Sequence, residues 1–323
     1  MMKQFLAIEI GGTKLQIFVG DEHANILQRW RFDVEPRLGG AGIRTQIETA
    51  LPDILRAHKV AAVGVGYGGP VDWRTGQICC SHQIEGWADF PLADWIGDLV
   101  PNSGAYAPEF GKRALPVVVD NDANCGALGE AVRGAGQGSN PVFYVTLGSG
   151  VGGGLVVDGK IFHGAKPGES EIGHVRLDRT GTIIEQRCSG WAVDKMVRAM
   201  AEQNPSSKLA RFAAGMDGGQ ARALAPALQE NCPLAQKILA EVAENLAFGL
   251  SHLTHLMHPQ VIILGGGLSL LGEPLRAAVE AALQRFVMEA FGSGPGIALA
   301  TLREDAVPVG ALLLARSAVG SDT

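Results

Sequence analysis

Apolar residues recur along the chain at two spacings. The longest helical pattern is "PLAQKILAEVAENLAFGLSHLTHLMH" (233–258), where Ile238, Val242, Leu246, Leu250 and Leu253 share one face. A second, "AGIRTQIETALPDILRAHK" (41–59), leads into the buried-strand pattern "VAAVGVG" (60–66). "QFLAIEIGGTKLQIFVGD" reads as strand, glycine turn and strand, and "ILQRWRFDV" (26–34) adds a third strand. "PVFYVTLGSGVGGGLVVDGK" (141–160) repeats that layout, with "KIFHG" (160–164) extending it. The two glycine hairpins make a weak internal repeat. "PVVVD" (116–120) opens another strand–helix unit, and "QVIILGGG" (260–267) leads into a helix over 268–290. "VPVGALLLARSAV" (307–319) is an apolar helix. Residues 98–115 read as a loop or insertion, and 203–231 as short helices with polar turns. Strands alternating with helices, mixed with hairpins, predict α/β layers.

Composition narrows the function classes. A chain of 323 residues exceeds one usual domain, and 46% hydrophobic with 19% charged residues is ordinary for a soluble protein. A net charge of -6 with no basic run argues against a nucleic-acid partner. No apolar stretch is long enough to span a bilayer, and the N-terminus does not read as a signal peptide. The odd cysteine count, with Cys79 and Cys80 adjacent, does not suit a disulfide framework, so a cytoplasmic location is expected.

Candidate chemistry sits where strands end. "LPVVVDNDANCGALGEA" (115–131) closes an apolar strand on Asp120, Asn121 and Asp122 just before a helix. Any one of them could cap that helix. A cap needs only one such side chain, and three together favour a polar ligand. Glycine clusters at 10–13, 64–70, 147–154 and 264–267 also follow strand-like runs, where missing side chains admit a ligand to the backbone. Gly148 to Gly153 formally fits G-x-G-x-x-G, but a strand follows instead of a helix, which excludes a dinucleotide fingerprint. "GGTK" lacks P-loop spacing. Two glycine hairpins whose N–H groups can cradle phosphate remain.

Taken in order, "EIGGTK", "GVGYGGPVD", "VVVDNDANCGALGE", "VTLGSGVGGGLVVDGKIFHGA", "GESEIGH" and "VIILGGG" resemble the ROK family of sugar kinases and repressors. The resemblance spans nearly the whole chain. It implies a two-lobed actin-like ATPase (ribonuclease H-like) fold, each lobe a mixed sheet with flanking helices. The expected division is 1–118, 119–300 and a C-terminal helix, 301–323, packing back on the first lobe. It also implies ATP-dependent phosphorylation of a hexose at the 6-hydroxyl, with Asp122 as catalytic base, in a homodimer. Gly69, Gln83, Asn121, Glu171, His174 and Glu185 would bind the sugar. Glu9, Gly11, Gly12, Thr13 and Lys14 match the first phosphate motif; Gly148, Ser149, Gly150 and Gly152 the second; and Gly265, Gly266 and Gly267 the adenosine motif. Mg2+ would rest mainly on ATP phosphates and water. Asp120 would be a supporting carboxylate, and Trp87 serves equally as core or as a sugar platform.

Two departures stand out. Glu9 replaces the family's Asp. The family's zinc site is also incomplete: between His174 and Ser189 the chain reads "VRLDRTGTIIEQRC", with Ile183 at a Cys position and Cys188 outside the pattern. No structural zinc is expected, and Ile183 and Ile184 would hold the loop by apolar packing. The alternative function is a sugar sensor with weak or no kinase activity. The first strand begins by Gln4, so the helix-turn-helix of the family's repressors is not expected.

Overall fold

A computed structural model describes residues 3–80, 84–99, 115–168 and 170–320. The N-terminal elements are β1 (Gln4–Ile10), β2 (Lys14–Asp21), β3 (Ile26–Asp33), α1 (Gly39–Ala57), β4 (Val60–Tyr67), β5 (Val71–Asp72), β6 (Gln77–Ile78), α2 (Leu92–Leu99), β7 (Val117–Asn121) and α3 (Asp122–Arg133). The middle adds β8 (Val142–Leu147), β9 (Val151–Val157), β10 (Lys160–Ile161), α4 (Glu185–Cys188), α5 (Gly190–Gln203), α6 (Lys208–Ala213), α7 (Leu224–Gln229) and α8 (Pro233–Met257). Last come β11 (Val261–Gly265), α9 (Glu273–Leu283), β12 (Gly296–Leu299) and α10 (Ala306–Ala318).

The chain divides into two compact units. The first comprises the described residues of Met1–Gly134, Gly159–Ser170 and Glu304–Thr323; the second comprises Ala135–Asp158 and Glu171–Arg303. In the first, the strand order is β3-β2-β1-β4-β7. The β1–β2 and β2–β3 pairs are antiparallel, while β4 runs parallel to both β1 and β7. In the second, β9 pairs antiparallel with β8, and β11 lies parallel to both β8 and β12. An antiparallel hairpin followed by parallel neighbours thus occurs twice, the structural form of the repeat in the sequence. Each unit has its own core. One gathers β1 and β4 residues with Ile43, Ile47 and Leu51 of α1. The other gathers β8 and β11 residues with Ile238, Val242 and Leu246 of α8.

The boundary falls after Gly134, where the sequence placed it near 118. Backbone contact between helices is the reason. A Cβ on Gly310 of α10 would lie 1.7 Å from the Cys125 carbonyl oxygen of α3, and one on Gly64 of β4 would lie 1.9 Å from the Ala311 oxygen. Glycine at these points lets α10 pack directly on α3 and β4, which keeps α3 with the first unit. The helix expected over 268–290 is also shorter. Gly272, at φ 72°, turns the chain, and α9 starts beyond it with Pro274 in its first turn. Most of the expected 98–115 loop lies outside the described residues. No helix among the described residues is long and apolar enough to cross a membrane.

The α10 contact is testable by paired substitutions. Gly310→Ala should destabilise the fold by at least about 2 kcal/mol through overpacking. Gly97→Ala, in α2 with no atom beyond its chain neighbours and its own helix backbone within 4 Å of the added carbon, should be neutral or stabilising by up to about 1 kcal/mol. Urea denaturation measures both, and equal stabilities would contradict the packing.

Candidate active site

The segment Asp120–Asn124 turns from strand to helix within three residues. Asn121 is extended, at φ -64° and ψ 146°, and caps α3: its Oδ1 accepts from the N–H groups of Ala123, at 2.8 Å, and Asn124, at 3.3 Å. Its Nδ2 donates to the Gly69 carbonyl at 3.1 Å. Capping is therefore a role that Asn121 holds. The buried Asp120 carboxylate accepts through Oδ1 from the Asn121 N–H at 2.8 Å and from Asn124 Nδ2 at 2.9 Å. With its neighbours fixed in this way, Asp122 takes the first helical position, partly exposed, where the helix dipole favours a carboxylate. A Cβ on Gly68 would stand 3.4 Å from Asp122 Oδ2, so the glycine turn after β4 faces this carboxylate.

The first glycine hairpin lies in the same unit. Gly11 N–H donates to the Lys14 carbonyl at 3.0 Å, closing the turn. The N–H groups of Gly12 and Thr13 have no hydrogen-bond acceptor among the described residues. Glu9 is buried, with Oε1 3.1 Å from Lys14 Nζ and Oε2 accepting from Gln16 Nε2 at 2.8 Å. Burial pushes the Cys125 thiol well above its usual range, and the negative charges of Asp120, Asp122 and Glu9 add to that.

The second unit carries the second hairpin. Gly148 N–H donates to the Gly150 carbonyl at 3.0 Å, and the Gly148 carbonyl accepts from Gly190 N–H at 2.7 Å. The N–H groups of Ser149 and Gly150 again find no acceptor among the described residues. Gly266, at φ 78°, runs so close to this hairpin that a Cβ would lie 2.6 Å from Leu147 backbone atoms. That approach brings the 265–267 loop to the end of β8. Glu185 Oε2 accepts from the Val151 N–H at 2.9 Å, which ties α4 to the same hairpin.

Glu171 and His174 share one helical turn, with His174 Nδ1 3.5 Å from Glu171 Oε2 and both side chains largely exposed. The segment after them is organised by one carboxylate. Asp178 Oδ1 accepts from the N–H groups of Thr180, Gly181 and Thr182 and from the Thr180 hydroxyl, at 2.6 to 3.2 Å. The Thr180 and Thr182 side-chain bonds hold the Asp178 carboxyl well below the usual carboxylate range. Arg176 bridges Ile183, and Ile184 is fully buried against Gly249 of α8.

The sequence-derived candidates thus fall into two groups. Glu9, Gly11, Gly12, Thr13, Lys14, Gly69, Asn121 and Asp122 lie in the first unit. Gly148, Ser149, Gly150, Gly152, Glu171, His174, Glu185, Gly265, Gly266 and Gly267 lie in the second. Gln83 lies outside the described residues. Trp87 is 1% exposed and packs edge-on against Tyr67 and Phe90, so it is core. Two neighbours escaped the sequence reading. Gly190 anchors the second hairpin, and His163 bonds Asp120 at 2.7 Å. Their only signals were a glycine after Ser189 and a polar residue next to the end of "KIFHG".

Comparison with known proteins agrees with this geometry. A glucokinase of Halalkalibacterium halodurans is 29% identical over 321 residues, covering 95% of this chain and 93% of that protein. A glucokinase of Streptomyces coelicolor is 30% identical over 294 residues, covering 88% of each. The crystal structure of a ROK family glucokinase from Streptomyces griseus, in complex with glucose and AMPPNP, matches at a TM-score of 0.79 and 30% identity, over 97% of this chain and 99% of that one. The two mixed sheets with flanking helices are those of the actin-like ATPase fold. With its residues 5–318 matching the model of the ROK family, the chain belongs to that family.

Proposed function

We propose that the protein transfers the terminal phosphoryl group of ATP to the 6-hydroxyl of a hexose, glucose or a close relative. The observation that carries the reading is the placement of Asp122, partly exposed in the first turn of α3 and faced by the Gly68 turn. In this reading its carboxylate accepts the hydroxyl proton as the sugar oxygen bonds to phosphorus and ADP leaves. The glucokinase relatives support the sugar class. Nδ2 of Asn121 has a second N–H beyond the one given to Gly69, available to a sugar hydroxyl. Glu171 and His174 are exposed and hydrogen-bonding, as a sugar contact requires. Glu185 reaches its carboxylate past Gly150, where it also steadies the hairpin.

The nucleotide fits the same reading. Hairpin tips with unused N–H donors, Gly12 and Thr13 in one unit and Ser149 and Gly150 in the other, suit phosphate oxygens. The Lys14 ammonium, held by Glu9, adds a positive charge beside the first tip. Magnesium bound with ATP would neutralise phosphate charge. Both oxygens of Glu9 are already engaged, so the ion would rest on phosphates and water rather than on a protein cage.

Zinc does not suit the segment where the family resemblance would place it: Ile183 stands at a Cys position, and the one cysteine there, Cys188, lies outside the pattern. Cys188 is fully buried, its Sγ lies 3.6 Å from the Val242 carbonyl, and burial pushes its thiol up to about 12. A thiol so disposed to keep its proton is a poor ligand. The Asp178 turn and the buried Ile184 hold the segment instead.

Two tests follow. Asp122→Asn should lower kcat for hexose phosphorylation by roughly 1000-fold while calorimetry still detects sugar binding; retained turnover would sink the assignment. For the loop, a carboxyl held below its usual range stabilises fully above about pH 4 and loses that contribution as pH falls further. Amide protection at Thr180–Thr182 should therefore weaken in acid yet withstand chelator at neutral pH. Stoichiometric zinc in the purified protein would contradict this.

A further inference from the structure

One histidine outside the sequence-derived candidates is bound into the corner that presents Asp122. His163 belongs to Gly159–Ser170, part of the first unit. Its Nε2 lies 2.7 Å from Asp120 Oδ2. That carboxylate oxygen can only accept, so Nε2 carries the proton and donates. The other oxygen, Oδ1, already serves Asn121 and Asn124. The histidine bond therefore removes the remaining freedom of the carboxylate to rotate about its own axis.

The imidazole is itself clamped. It stacks on Trp73 with ring centroids 4.2 Å apart and planes inclined by 15°. The Arg74 guanidinium lies 4.6 Å over the Trp73 ring. Gly168 closes the stack: a Cβ there would come within 2.7 Å of Trp73 and 3.1 Å of His163. Lys166, from the same segment, pairs with Asp72 at 3.1 Å beside Trp73. A carboxylate needing only a third donor would not need a stacked and latched ring to supply it. The construction suits a group whose position, rather than its mere presence, matters.

We propose that His163 is a positioning residue for phosphoryl transfer. Through Asp120 it fixes the strand end carrying Asn121 and Asp122, and it acts on the rate of the chemical step more than on sugar affinity. This inference rests on the functional reading above. Asp120, Asn121 and Asp122 are consecutive, so a tilt of the first carboxylate moves the base within two residues. A displacement of about 1 Å is enough to cost on the order of 100-fold in rate.

The test compares His163→Asn with His163→Gln. The Gln amide nitrogen can occupy the place of Nε2, whereas the Asn amide stops short of Asp120. His163→Asn should lower kcat on the order of 10- to 100-fold with sugar KM within about threefold, and His163→Gln should restore most of the rate. Amide hydrogen exchange at residues 121–124 should quicken in the Asn variant and not in the Gln variant. Unchanged kcat in the Asn variant, or a loss confined to KM, would overturn the proposal. If the Asn variant does not fold, Trp73→Leu, which frees the ring without removing it, replaces it with the same expectations. If the wild-type protein phosphorylates no hexose, the functional reading fails, and exchange alone decides: faster exchange in Asn but not Gln supports positioning, and equal exchange overturns it.

Discussion

The buried Asp120 carboxylate is the constraint on which the first unit's chemistry depends. It closes a strand, bonds the next residue's N–H and holds Asn124 of the following helix. Asn121 is thereby set to cap α3, and Asp122 is left at the first helical position. A carboxylate removed from water costs free energy unless its oxygens are hydrogen-bonded, and here backbone and amide donors serve Oδ1 while an imidazole serves Oδ2. Local polar satisfaction and presentation of the candidate base are thus one structural event.

The same economy recurs in glycine usage. Gly64 and Gly310 serve helix packing and not ligand approach, because α10 lies against β4 and α3 at backbone distance. Gly68 faces Asp122, and Gly266 brings a loop against the end of β8. A single cluster in the sequence, "GVGYGG", therefore divides between core assembly and the site. In the second unit, the segment where the family resemblance places zinc is held by an Asp-centred turn and an apolar side chain.

Much of the fold was legible in the sequence. The apolar face of 233–258 became α8, and both glycine hairpins formed between antiparallel strands. Less legible was whatever depended on contacts distant along the chain. The unit boundary moved because α3 packs on a helix nearly two hundred residues later, which no local pattern reveals. The 268–290 helix broke at Gly272 because a positive φ interrupted its periodicity. At the site, the D-N-D-A-N stretch announced itself by composition and the family resemblance gave Asp120 its supporting role, but which residue caps the helix, and what holds Asp120, did not show. Asn121 turned out to cap, Asp120 to brace, and His163 entered from a hairpin some forty residues away.

The most direct measurement is a crystal structure of the protein with glucose and a non-hydrolysable ATP analogue. The expected result is an Asp122 carboxylate oxygen about 2.6–3.2 Å from the sugar 6-hydroxyl, with that hydroxyl directed at the terminal phosphate. A 6-hydroxyl bonded elsewhere, with Asp122 out of reach and no intervening water, would contradict the assignment of the base.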